Sequence, residues 1–284
     1  MMKKIRSLTD QYAIPAAIIA FVFIKLLIMG LGRLLEFLPA TLPMAYLSES
    51  ILMLVPVGLV WFFGFSRAFK KGHFFRGLLC YLPFILLQMM ILVSFLLKNL
   101  GNPEANWRPW YLIVLGVFSI VGIGVREECI YRATLQNIVA KKHANSVKGI
   151  WLTVTVSALI FGLTHATNLF FGMDPRAVLT QVLSSAFLGL LFGAVYLRSG
   201  SLWAIALIHT LTDIVGLASS TFLSMSEVED LNQMAGAWSL PLGLVVKWLV
   251  YVGITAFLLR PSKCKEIRES FCFAKEPSEA DFHT

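Results

Sequence analysis

Eight stretches of this chain are long and apolar enough to cross a bilayer, and that restricts the fold more than any motif does. They run at roughly 13–32, 47–66, 76–97, 109–126 and onward, 149–171, 177–197, 201–223 and 240–259. A spanning helix takes about 20 apolar residues. Hydrocarbon offers the backbone no hydrogen bonds, so each span has to satisfy its own as a helix. The 284 residues are 57% hydrophobic and only 14% charged, which is not the balance of a soluble domain. The expected fold is therefore an all-α polytopic membrane protein of about eight transmembrane helices. Residues 1–260 would form one membrane domain (with its motif core at about 115–220) and 261–284 a polar cytoplasmic tail.

A net charge of +8 suggests nucleic acid until its distribution is read. Lys3, Lys4, Arg6, Arg67, Lys70, Lys71, Arg76, Lys141, Lys142, Lys148, Arg198, Arg260, Lys263, Lys265, Arg268 and Lys275 fall on one set of alternate loops and the termini. The other set holds Arg33, Lys98, Arg108 and Arg176, a ratio of 16 to 4. Positive residues stay inside, so both termini are expected in the cytoplasm and no nucleic-acid partner is implied. Attraction to anionic lipid is a secondary effect. The first apolar run is longer than a signal-peptide core and has no small-x-small cleavage site after it, so it reads as a span. Cys80, Cys129, Cys264 and Cys272 show no metal-ligand spacing.

Within this apolar frame, apart from Glu49 near the start of the second span, lie three acids and two histidines. They fall in three clusters: Arg126-Glu127-Glu128-Cys129-Ile130-Tyr131-Arg132, Phe161-Gly162-Leu163-Thr164-His165, and His209-Thr210-Leu211-Thr212-Asp213. A charge in the bilayer centre costs about 2.5–3.5 kcal/mol even on the lenient insertion scale, so such residues face a cavity or a partner. Glu128 and Arg132 are at i,i+4 with the acid first, the favourable order for a helix ion pair. Glu127 points about 100° away and is the freer carboxylate. For Glu127 to reach the depth of His165, the fourth helix must continue through Leu135 and Ile138 to Lys141. Glu127 then lies about 21 Å from its cytoplasmic end. His209 and Asp213, also at i,i+4, share a face, so Asp213 could fix the tautomer of the imidazole. Ser185, Gly189 and Gly193 make a close-packing face on the sixth span. Lys247 is near enough to a helix end to snorkel. Lys25 lies mid-span, and nothing in the sequence pairs it.

The three clusters resemble the signature of the CAAX-protease and bacteriocin-processing (Abi) family of intramembrane proteases: E-E-x-x-x-R, F-x-x-x-H and H-x-x-x-N or D. The chain has them in order as Glu127-Glu128 with Arg132, Phe161 with His165, and His209 with Asp213. The resemblance implies that Glu127 is a general base on water, with His165 helping to activate it. His209 would stabilise the oxyanion, with Asp213 either a protonated donor beside it or the residue that orients His209, and with Glu128 and Arg132 as support. Asp213 departs from the commoner Asn, because an ionised Asp cannot donate a hydrogen bond. No cofactor is expected, although two histidines and a glutamate leave zinc open; H-E-x-x-H is absent. The implied function is endopeptidase cleavage of a membrane-associated peptide or protein, in a multi-pass protein of the cell membrane, with a bacterial source expected. The alternatives are a non-catalytic role in bacteriocin self-immunity or envelope scaffolding, and a proton-coupled transporter. The transporter would be expected to show inverted repeats, which the sequence lacks.

Overall fold

The computed structural model describes residues 11–70, 72–225 and 241–271. Expectations that rest on Lys3, Lys4, Arg6, Lys71, Cys272 and Lys275 lie outside the described residues. All eight expected segments are helical. The helices are α1 (Ala13–Leu35), α2 (Leu42–Leu52), α3 (Leu54–Phe62), α4 (Phe74–Leu100), α5 (Trp110–Glu128), α6 (Asn137–His143), α7 (Val147–Thr164), α8 (Pro175–Ser199), α9 (Leu202–Gly216), α10 (Ala218–Phe222), α11 (Pro241–Leu258) and α12 (Pro261–Phe271). By length and composition, five helical stretches among the described residues can cross a membrane: Ala13–Leu35, Leu42–Phe62, Phe74–Leu100, Val147–Phe171 and Pro175–Ser199. The pair Leu242–Leu258 and Pro261–Arg268, bent by 63°, would make a sixth. This is a multi-pass, all-helical membrane fold.

Local chemistry sets the helix ends. Ser146 caps α7 by accepting from the Gly149 N–H at 3.1 Å. Asp174 caps α8 by accepting from Arg176 at 2.9 Å and Ala177 at 3.1 Å, with Pro175 in the first turn, where a missing N–H costs nothing. Gly200 closes α8 in the left-handed region at φ 64°, and Ser201 starts α9 one residue later.

The outer surface is apolar. Ile19, Leu79, Leu86 and Leu249 are exposed on faces that lipid would cover at no cost. The polar side chains turn inward: Glu128, Arg132, Thr134 and Gln136 are 0% exposed. The centre of the bundle is the stretch joining α5 to α6. Cys129–Gln136 is a π-helix, every residue of it is buried, and it continues without a break into α6. The helix therefore does run from 110 to 143, the extended course that matched the depth of Glu127 to that of His165. Single π turns inside α-helices are rare and concentrate at functional sites.

Around this stretch pack α1, α3, α7, α8 and α9. The small-residue face on α8 is a close approach to α7. A Cβ added at Gly189 would stand 3.0 Å from Phe161 and 3.1 Å from the Ala158 Cα. On the other side, a Cβ at Gly124 would be 2.7 Å from the Thr210 hydroxyl, so α5 and α9 also meet backbone to backbone. These two contacts bring the three motifs together. The expected polar tail begins as a packed helix: Cys264 and Ile267 of α12 are each 1% exposed. Glu266 of the same helix is bound by Arg76 and, at 3.0 Å, by Arg198.

Candidate active site

Glu127 and Glu128 end α5 immediately before the π segment, so their side chains leave the helix at its most enclosed point. Glu128 is fully buried. One of its oxygens lies 2.7 Å from His209 Nδ1, and the other lies 3.3 Å from Arg132 Nε. The i,i+4 ion pair with Arg132 is present as the spacing predicts. The contact with His209 is an addition that spacing within one helix could not reveal.

Arg132 is itself 0% exposed. Its guanidinium lies 5.0 Å from the Phe161 ring centre, 5.5 Å from Phe192 and 5.9 Å from Tyr131, and it donates to the Gly189 carbonyl at 3.3 Å. A buried cation needs both an anion and aromatic faces in place of water. Arg132 has both.

His209 is 3% exposed and sits between acids. Its Nδ1 is taken by Glu128. Its Nε2 faces Glu127 at 3.5 Å and Asp213 at 3.6 Å. The sequence offered Asp213 as the carboxylate that could fix the His209 tautomer. In the structure that position, behind the ring, belongs to Glu128. Asp213 stands with Glu127 on the opposite nitrogen. Glu127 and Asp213 are the more open side chains, 15% and 26% exposed.

Phe161 explains why a phenylalanine stands four residues before the second motif's histidine. Its ring lies 5.3 Å from His165, 5.6 Å from His209 and 4.9 Å from Tyr131, all edge-on. It fixes the separation of the two imidazoles. Phe192 holds the other side of His209 at 5.2 Å. His165 stands where α7 tightens into the 3-10 segment His165–Phe171, and its Nε2 is buried with no hydrogen-bond partner among the described residues. His165 and His209 both act electrostatically on Glu127. Tyr131 is tied to α7 by a 2.8 Å hydrogen bond between its hydroxyl and Thr164, and its carbonyl accepts from Ser157 at 2.8 Å.

The structure thus gathers Glu127, Glu128, Arg132, His209 and Asp213, with His165 across the Phe161 ring. Three neighbours had no role assigned from the sequence, although Arg126 stood at the head of the first cluster. Arg126 is paired with Glu49 of α2 at 2.5 Å. Phe192 supports His209 from α8. Lys25 of α1 acts electrostatically on Glu127; its only signal in the sequence was a charge in the middle of a span. Among the described residues, no group of His, Cys, Asp and Glu has a metal-binding arrangement.

No curated protein and no solved structure is matched by the chain. Residues 108–215 match the family model described as type II CAAX prenyl endopeptidase Rce1-like. That stretch contains α5, the π segment and all three motifs, and the family is one of proteases. The motif-bearing core of this membrane protein is therefore similar to the Rce1-like proteins of the CAAX-protease family.

Proposed function

We propose that the chain is an intramembrane endopeptidase that hydrolyses a peptide bond in a membrane-associated peptide or protein, in the cell membrane of a bacterium. The observation that carries this reading is the pair of contacts on His209: Glu128 on Nδ1 at 2.7 Å and Glu127 facing Nε2 at 3.5 Å. Glu127 is the general base. It takes a proton from a water that the buried His165 Nε2 also orients. The water oxygen attacks the peptide carbonyl carbon, and the carbonyl oxygen becomes an oxyanion. His209, carrying both ring protons, donates Nδ1–H to Glu128 and offers Nε2–H to that oxyanion. The proton held by Glu127 passes to the departing amine as the C–N bond breaks. Asp213, beside the same nitrogen, adds a donor to the oxyanion when protonated. Glu128 and Arg132 keep the imidazole in place.

The test is cleavage by purified protein in lipid vesicles of a set of membrane-anchored peptides, read by mass spectrometry. Glu127→Gln should abolish cleavage while the protein is still expressed and folded in the membrane. Full activity in Glu127→Gln would remove the general base from this scheme. A wild type that cleaves nothing, yet protects cells from a bacteriocin equally well with Glu127→Gln, would favour the non-catalytic immunity role.

A further inference from the structure

Tyr131 stands in the first cluster at a position that no part of the motif specifies, four residues after Glu127. It is 0% exposed and reaches α7 with both ends of the residue. Its carbonyl accepts from the Ser157 hydroxyl at 2.8 Å, and its own hydroxyl meets the Thr164 hydroxyl at 2.8 Å. Thr164 donates to the Ile160 carbonyl at 2.9 Å. A threonine hydroxyl has one proton, so Tyr131 is the donor of the Tyr131–Thr164 pair.

Ser157 and Thr164 are seven residues apart, which is about 10 Å along α7 and nearly the same face of it. Phe161 lies on that face between them, and its ring meets the Tyr131 ring edge-on at 4.9 Å. Tyr131 therefore spans two turns of α7, with a hydrogen bond at either end and an aromatic contact in the middle. Contacts spread over that length fix both the rotation of α7 and its position along its own axis. The residue after Thr164 is His165. The Thr164 carbonyl accepts from the Thr167 hydroxyl at 2.8 Å, so the point at which His165 leaves the helix is held by side chain and backbone together. Phe21 of α1 backs the tyrosine ring from another side at 6.2 Å.

We propose that Tyr131 is a positioning residue that sets the separation of Glu127 and His165: its hydroxyl, bonded to the residue before His165, locks the second motif onto the first. The kinetic part of this rests on Glu127 and His165 acting on the attacking water; the clamp itself does not.

Tyr131→Phe removes one oxygen and keeps the ring and the carbonyl bond to Ser157. In purified protein in lipid vesicles, well below the melting temperature, it should lower kcat on the order of 10-fold at unchanged KM. Thr164→Val removes the other half of the same bond. The double variant should therefore be no slower than Thr164→Val alone, and Thr164→Ser should keep most of the wild-type kcat. A wild-type kcat in Tyr131→Phe, or two losses that multiply, would overturn the role. A raised KM at unchanged kcat would assign the hydroxyl to substrate binding and overturn it as well. The second measurement needs no substrate: the rate at which diethyl pyrocarbonate modifies His165 in the full chain in detergent, read by peptide mass spectrometry. Tyr131→Phe should raise that rate several-fold and leave the rate at His73, just before α4, as it was. An unchanged rate at His165 would show that no clamp exists. A chain that cleaves no peptide but shows the His165 response would retire the protease reading and leave the clamp standing.

Discussion

Removing the charge of Glu128 while keeping its shape tests the centre of the molecule. Glu128→Gln leaves Arg132, 0% exposed, with aromatic faces and one carbonyl but no anion. Breaking a buried ion pair from one side costs about 3–5 kcal/mol, because the surviving charge stays desolvated. For a chain of this size that corresponds to a fall in melting temperature on the order of 6–15 °C. Replacing both partners removes the stranded charge. Glu128→Gln with Arg132→Met should therefore be more stable than Glu128→Gln alone, because Met fills much of the space between Phe161 and Phe192. The assay is thermal unfolding of purified protein in one detergent at a fixed heating rate, followed by tryptophan fluorescence. Activity, measured well below the melting temperature, should stay low in the double variant, because the 2.7 Å contact to His209 Nδ1 has lost its anion. Glu128→Gln with an unchanged melting temperature would refute the reasoning, as would a double variant less stable than either single one.

Three further outcomes follow from particular contacts. Asp213→Asn should keep most activity at neutral pH, since Glu128 rather than Asp213 holds His209 Nδ1. An activity-versus-pH comparison of the two proteins on one peptide checks this, and loss at every pH with the fold intact would contradict it. Hydrogen bonds from Arg76 and Arg198 hold the Glu266 carboxyl down to about 2, below its ordinary value of 4.5. The folded value is the lower one, so this clasp stabilises fully above about pH 4.5 and is lost as pH falls toward about 2. Glu266→Gln should flatten the dependence of melting temperature on pH in that window and nowhere else, which thermal scans along a pH series will read. Gly189→Ala should destabilise by about 1–3 kcal/mol, because the new methyl meets the Phe161 ring at 3.0 Å. A melting temperature equal to the wild type's would show that α7 and α8 can separate freely there.

Much of this was already written in the sequence. Apolar length and the cost of an unpaired backbone in lipid set a helical membrane fold. Intramembrane Glu127, Glu128, His165, His209 and Asp213 stood out because charge is expensive there, and the i,i+4 spacing found the Glu128–Arg132 pair. These are local properties, carried by neighbours on one helix. What the tertiary structure decided were the relations between helices. It placed Glu128 behind His209 and Asp213 in front, a choice fixed by the rotation of α9 against α5 at the Gly124–Thr210 contact. It wound Cys129–Gln136 as a π turn, made Phe161 a spacer between two imidazoles, and turned residues 261–271 into a docked helix. It also brought Lys25 within electrostatic reach of Glu127, more than one hundred residues along the chain. A period along one helix says which residues share a face, but only packing says what that face meets.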